Sequence, residues 1–219
     1  MYKMDSHIHS EYSPDSLSKI DDILKVARRE NIDILEISDH NTVYGTSEIV
    51  AKTRNTDILA IPSIEISSSQ GHILGFGCEE NIPQGLSPED TIDRIHDLGG
   101  LAIVPHPYCF YRHGLLCKSD YKDLKIDAIE TKNARFIIGY CNNKAKNLAK
   151  RENIPTLGAS DAHYWEFVGD CYSLIECEKD IDGVLKAIKK GKVEAHGKGT
   201  SNILLSKYLI EKNVLKKFD

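Results

Sequence analysis

No stretch of the 219 residues approaches the ~20 consecutive apolar side chains that cross a bilayer. The opening Met1-Tyr2-Lys3-Met4-Asp5 lacks the apolar core of a signal peptide, so no membrane association and a cytoplasmic location are expected. None of the six cysteines (78, 109, 117, 141, 171 and 177) forms Cys-x-x-Cys. Scattered cysteines in a chain of this size suit a reducing compartment better than a disulfide framework. Positive charge is not in excess either: the net charge is -5 and the pI near 6.0, which argues against a general nucleic-acid binder. No repeat, low-complexity segment or linker divides the chain. The hydrophobic share of 41%, with 28% charged, is that of a soluble globular protein able to bury one large core.

Apolar runs alternate with helical patterns. Strands are expected at Ile32–Ile37, Ile58–Ile61, Ile73–Phe76, Leu101–Val104, Ile126–Ile129, Pro155–Ala159 and Tyr172–Ile175. Between them, Ser18 with Asp21 resembles a capping box, ahead of an apolar face at Ile20, Ile23, Leu24 and Ala27. Ser87-Pro88-Glu89-Asp90 reads as a cap, a first-turn proline and acids suited to a helix start, and Gly99-Gly100 closes that helix. Further helices are expected over Phe136–Arg151, from Asp180 to a stop at Gly191, and over Asn202–Lys212. Strand-helix alternation implies an α/β fold with mostly parallel strands. Eight units of a closed barrel usually take ~250 residues, so this length predicts a distorted (β/α)7 barrel spanning 1–219 as a single domain.

Acids and histidines fall where such a barrel would gather them. His7 and His9 are two apart at the end of a short run, a spacing that turns both imidazoles to one face. Asp39-His40 follows the second strand and Glu65 comes closely after Ile58–Ile61. His72 opens a run, His106 follows Leu101–Val104, and Asp161 and His163 follow Thr156–Ala159. Groups at the C-terminal ends of parallel barrel strands converge on one rim. With Asp15, nine candidate ligands result: His7, His9, Asp15, His40, Glu65, His72, His106, Asp161 and His163. Imidazole and carboxylate donors suit Zn, Mn or Fe, and nine donors exceed the four that one zinc usually takes. Two or three divalent ions with a bridging carboxylate are therefore expected, an arrangement fitted to phosphoryl displacement.

These segments resemble the PHP (polymerase and histidinol phosphatase) superfamily of metal-dependent phosphoesterases. The matching stretches are Asp5-Ser6-His7-Ile8-His9-Ser10, Ser38-Asp39-His40-Asn41, Ile64-Glu65-Ile66, Gly71-His72-Ile73-Leu74-Gly75, Val104-Pro105-His106-Pro107 and Gly158-Ala159-Ser160-Asp161-Ala162-His163. They occur in the family's order and cover residues 5 to 163. The resemblance implies a distorted seven-stranded barrel and three metals. One would lie between His7, His9, Glu65 and Asp161, and a second between Glu65, His72 and His106. A third would take Asp15, His40 and His163. Where the family reads Ser-Asp-Gly, this chain has Ser13-Pro14-Asp15-Ser16, which leaves Asp15 open between ligand and turn residue.

The implied activity is hydrolysis of a phosphate ester, with a small phosphate monoester such as a nucleotide or histidinol phosphate as substrate. A 5′-end exonuclease on short RNA or DNA and a non-catalytic metal-binding module are the alternatives, so nucleic acid enters only as substrate. Asp161 or His163 would protonate the leaving oxygen. Arg135 is expected to bind phosphate with both arms of its guanidinium; Arg112 and His113 are further candidates, and the resemblance adds Glu130 and Asn133 on the rim. Asp39 reads either as a hydrogen-bonding support to the site or as a helix cap. His96 reads as structural, and His196 and the lysines at 186, 189, 190, 192 and 198 as solvated. Nothing in the sequence sets the oligomeric state.

Overall fold

The computed structural model describes residues 1–135 and 139–215. Its strands are β1 (Tyr2–Asp5), β2 (Ile34–Ile37), β3 (Leu59–Ser67), β4 (His72–Phe76), β5 (Leu101–Val104), β6 (Ala128–Asn133), β7 (Thr156–Ala159), β8 (Cys171–Ile175) and β9 (Val193–Gly197). The helices are α1 (Ile20–Arg29), α2 (Tyr44–Thr53), α3 (Pro88–Asp97), α4 (Tyr140–Glu152), α5 (Ile181–Lys189) and α6 (Asn202–Leu215). The sheet order is β7-β6-β5-β4-β3-β2-β1-β8-β9. From β1 to β7 the strands run parallel except β4, which is antiparallel to both β3 and β5. The result is a nearly closed barrel of mostly parallel strands, as the alternation predicts.

Closure is uneven. At the rim a parallel bridge joins Ile8 to Ala162, and the His9 N–H donates to the Ala162 carbonyl at 2.8 Å. Lower down, β8 lies antiparallel along β1, and its Ser173 Oγ accepts from the Gly158 N–H at 3.0 Å. This close approach requires glycine: a Cβ at Gly158 would fall 2.4 Å from the Tyr172 carbonyl oxygen.

Alternation along the strands separates two environments. Met4, Ile34, Ile61, Leu74, Ile103, Ala128 and Leu157 form one buried cluster. Leu35 and Ile37, of opposite parity on β2, belong to another with Ile20, Ile23, Leu24 and Ala27 of α1. Burying such a side chain contributes about 1.5–3 kcal/mol, so the amphipathic face of α1 is held by packing rather than by its cap. The expected box at Ser18 does not form. The residue before the helix is Lys19, which makes no side-chain cap bond, and Ser18 is buried with its hydroxyl unpartnered among the described residues. The cap of α3 does form, with Ser87 accepting from the Asp90 N–H at 3.0 Å. Asp180 likewise caps α5 by accepting from the Gly183 N–H at 2.6 Å.

Two further expectations are corrected, and a third is met in part. β3 runs through Ser67, so Glu65 lies inside a strand rather than after one. His196, expected in a Gly- and Lys-rich loop, is in β9; it keeps the solvent exposure expected of it, with its ring stacked on Tyr172 at 5.8 Å and 16°. The helix expected over Phe136–Arg151 is α4, beginning at Tyr140; residues 136–138 lie outside the described residues. His96 is structural as read: its Nε2 is 2.8 Å from Asp127, whose same oxygen accepts from the Ala102 N–H.

Candidate metal centre

Glu65 is the middle of the site, and strand parity puts it there. Residues 61, 63 and 65 share one face of β3, and Ile61 belongs to the Met4–Ile34 cluster. The Glu65 carboxylate, two places further along, therefore enters the barrel mouth. Its Oε1 is 2.8 Å from His72 Nδ1 and 3.2 Å from His106 Nε2. Its Oε2 is 3.0 Å from His40 Nδ1, 3.3 Å from His9 Nε2 and 3.5 Å from His7 Nε2. The reversed direction of β4 explains how His72, at the start of its strand, reaches a rim that its neighbours reach at their ends.

Asp161 Oδ1 lies 3.7 and 3.8 Å from the Nε2 atoms of His7 and His9. Asp15 spans the outer edge, with Oδ1 3.5 Å from His40 Nε2 and Oδ2 2.9 Å from His163 Nε2. The nine candidate ligands thus meet on one rim. Two reach it through uncommon backbone: His106 has φ +32° and Asp161 φ +53°, in the left-handed region that side chains rarely adopt. Such residues cost of order 1–3 kcal/mol and persist where surrounding bonds hold them.

Supporting hydrogen bonds set the tautomers. His7 Nδ1 is 2.7 Å from Glu130 Oε1, a carboxylate oxygen that accepts, so the proton is on Nδ1. His9 Nδ1 is 3.0 Å from Ser13 Oγ, which itself donates to Asp39 Oδ1 at 2.8 Å. The serine oxygen therefore accepts from His9, and the proton is again on Nδ1. The two Nε2 atoms then face each other 3.0 Å apart, where a second proton on His7, which against burial Asp161, Glu130 and Glu65 favour, or a shared cation must separate their lone pairs. The buried Asp15 Oδ1 also makes no hydrogen bond among the described residues, and Glu65 Oε2, although 3.0 Å from His40 Nδ1, lies outside hydrogen-bond geometry. A buried acceptor left so costs about 1–3 kcal/mol. The residues present therefore fit divalent cations, and four trios of donor atoms lie within 4.8 Å of one another: His7-His9-Asp161, His7-Glu65-His106, His40-Glu65-His72 and His9-His40-His163.

The electrostatics divide the ligands. Burial is outweighed by carboxylates at His7 (Asp161, Glu130 and Glu65) and at His40 (Glu65 and Asp15), which are held above the usual imidazole range while no cation competes, whereas His9 and His163 go the opposite way. Burial, with His40 and His7 adding, pushes His9 down to about 3, keeping its imidazole neutral as a ligand must be. Burial also holds His163 well below the usual range, helped by His9 and Arg135. Burial works against ionising Asp161, but Arg112, His7 and Arg135 outweigh it and hold the carboxyl well below its ordinary value.

The support is partly unexpected. Glu130 and Asn133, read as rim residues facing substrate, are each 1% exposed. Glu130 Oε2 accepts from the His106 N–H at 2.8 Å and from Asn133 Nδ2 at 2.9 Å, and Asn133 Nδ2 reaches Asp161 Oδ2 at 2.9 Å. A bulge in β6 between Glu130 and Lys132 skips one residue, which turns Asn133 inward where alternation would have put Lys132. Asp39 supports the site through Ser13 and also accepts from the Ser10 N–H at 2.7 Å, while α2 starts only at Tyr44, so the helix-cap reading falls away. Ser13, four residues past His9 in a turn, carries no sequence signal of its own.

A cleft of about 440 Å³ opens over the rim, lined by Asp15, His40, His72, Arg112, His113 and Arg135 among others. Arg112 Nη2 donates to Asp161 Oδ1 at 2.7 Å, while its buried Nη1 has no partner among the described residues. Arg135 Nη1 is 2.7 Å from His163 Nδ1 and 3.6 Å from Asp161 Oδ1. The His113 ring lies 5.2 Å from that of His72.

A nearly closed barrel with its imidazoles and carboxylates gathered around one strand-borne glutamate is a fold shared with solved PHP-like proteins, and part of the chain matches a PHP-associated family. The PHP-associated family (PHP_C) matches residues 139–193. Uncharacterized protein MJ1587 of Methanocaldococcus jannaschii is 38% identical over 163 residues, which are 68% of this chain and 92% of that protein. Uncharacterized protein MJ0417 of the same organism is 30% identical over 189 residues, 82% of this chain and 74% of that protein. A crystal structure of a two-domain protein from Bacteroides vulgatus, containing a predicted PHP-like metal-dependent phosphoesterase, superposes with a TM-score of 0.75. The superposition covers 96% of this chain and 69% of that one at 17% identity, a likeness of fold.

Proposed function

We propose that the protein is a metal-dependent hydrolase of phosphate esters, acting on a small phosphate monoester such as a nucleotide or histidinol phosphate. The observation that carries this reading is Glu65, whose two oxygens face separate sets of imidazoles beneath a cleft lined by two arginines. Two or three ions, Zn, Mn or Fe, would be held by His7, His9, Glu65 and Asp161, by Glu65, His72 and His106, and by Asp15, His40 and His163. When bound, such ions supply a nucleophile at neutral pH and offset the charge that develops on phosphorus.

The chain's own groups do the rest. Glu130 and the Ser13–Asp39 pair keep the protons of His7 and His9 on Nδ1, so that Nε2 faces the centre. Arg112 keeps one arm on Asp161 and offers the unpartnered Nη1 to a phosphate oxygen, and Arg135 flanks it. Asp161, held ionised beside Arg112, has no proton to give the leaving oxygen, and His163, held neutral, would have to take one up from the attacking water or solvent before it could do so.

A second reading, a 5′-end exonuclease on short RNA or DNA, is favoured by Tyr111. Its side chain lines the cleft and is 93% exposed, where a base can stack on it. The full set of nine donors speaks against a non-catalytic module. The test is a panel of phosphate mono- and diesters with Mn2+, Zn2+ and Fe2+ each supplied. Turnover abolished by chelator and restored by metal is expected. Fewer than one ion per saturated chain, or no ester cleaved under any metal, refutes the proposal.

A further inference from the structure

The least enclosed candidate ligand is Asp15, whose side chain is 42% exposed in a turn between β1 and α1. A carboxylate on such a turn loses conformational freedom when it faces a fixed partner, and that loss must be offset elsewhere. The turn is tied to the site at its flanks. Ser16 Oγ donates to the His9 carbonyl at 2.9 Å, and the Leu17 N–H donates to the His163 carbonyl at 3.0 Å. The tie at Asp15 itself comes from the far end of the chain. Its carbonyl accepts from Tyr208 Oη at 2.9 Å and from Lys212 Nζ at 2.9 Å. Lys212 Nζ donates also to Tyr208 Oη at 2.8 Å, which closes a triangle.

Tyr208 and Lys212 are four apart, on one face of α6. Tyr208 is 4% exposed and packs on Tyr164 and Phe167, ring centroids 5.9 and 5.7 Å away. Those rings lie one and four residues after His163. One aromatic cluster thus fixes both the segment after His163 and the helix that holds Asp15.

We propose that Tyr208 and Lys212 are positioning residues for the Asp15–His40–His163 ligand set, so that α6 is part of the metal centre rather than an appended helix. The inference rests on the metal-centre reading above. Neither residue touches an ion; both act through the Asp15 carbonyl.

The experiment is a calorimetric Mn2+ titration of the metal-depleted full-length chain, with bound metal counted by elemental analysis. Wild type is compared with Tyr208→Phe, Lys212→Met and Lys212→Arg. Tyr208→Phe keeps the ring in its cluster and Lys212→Met keeps the apolar stem, so both variants should melt as wild type does. Three ions are expected in wild type. In Tyr208→Phe and Lys212→Met the weakest should lose about tenfold or more in affinity, the scale seen when a ligand's hydrogen-bonded support is removed. The tighter two should be unchanged, and Lys212→Arg, still a donor, should restore the third. Unchanged titrations in both variants overturn the inference, as does an equal loss at all three ions, which would mark a purely structural role. Two ions in wild type overturn it while leaving a dinuclear centre intact, and fewer than one overturns the metal-centre reading itself.

Discussion

Replacing Glu130 by glutamine separates a residue that orients ligands from one that touches substrate. Both Glu130 oxygens meet donors: Oε1 the Nδ1–H of His7 at 2.7 Å, and Oε2 the His106 N–H at 2.8 Å and Asn133 Nδ2 at 2.9 Å. Glutamine keeps the shape but offers one accepting oxygen and one NH2 group. Whichever way the amide is turned, NH2 faces a donor, and at least one charge-assisted hydrogen bond is lost, the one to His7 or the two to His106 and Asn133. Such a bond contributes about 1.5–3 kcal/mol. At 1.4 kcal/mol per decade this is roughly 10–100-fold in ion affinity at His7 or His106. The assay is Mn2+ titration of the metal-depleted chain, with kcat and KM for p-nitrophenyl phosphate measured at saturating metal. Weaker ion binding with KM for the ester nearly unchanged is expected. Unchanged ion affinity with a raised KM would refute the reasoning and return Glu130 to the substrate-facing role that the sequence suggests.

Glu65→Ala should remove more bound metal and more kcat than Asp15→Ala, because Glu65 faces imidazoles with both oxygens whereas Asp15 serves the outer edge alone; equal losses in elemental analysis and turnover would show that Glu65 is not the bridge. Arg112→Lys should lower kcat/KM about 10–100-fold, since lysine cannot keep one arm on Asp161 and offer another to phosphate, and normal kinetics would assign phosphate to Arg135 or to the metals. Burial pushes the Cys78 and Cys171 thiols up to about 12, so at pH 8 both are protonated and should react with a thiol reagent only after unfolding, whereas exposed Cys117 reacts at once; prompt labelling of either buried thiol would contradict the fold. Cys109→Ser should retain hydrolysis within about tenfold, a barrier change of ~1.4 kcal/mol, as no step uses a thiol; a loss of several orders of magnitude with metals retained would refute that.

Much of the centre is legible in the sequence because barrel geometry turns position along a strand into position in space. His7 and His9, His40, His106, Asp161 and His163 all fall just beyond apolar runs, and parallel strands bring those ends to one rim. The strand-helix alternation and the caps of α3 and α5 were equally readable, since parity, helical periodicity and capping are local. What tertiary structure alone decided was set by partners far along the chain. Glu65 faces inward from the far half of β3 because pairing with β4 over Ser63–Ser67 carries that strand past Pro62, where its pairing with β2 and its apolar run both end. The inward turn of Asn133 depends on a bulge against β7, and a bulge is a mismatch of register between two strands that neither sequence shows by itself. The link from Asp39 through Ser13 to His9 and the clamp of Tyr208 and Lys212 on Asp15 join residues 26 and 193 or more places apart. Hydrogen bonds of that reach leave no periodicity or propensity to read. They exist only once the barrel has closed and α6 has packed on the aromatic side chains that follow His163.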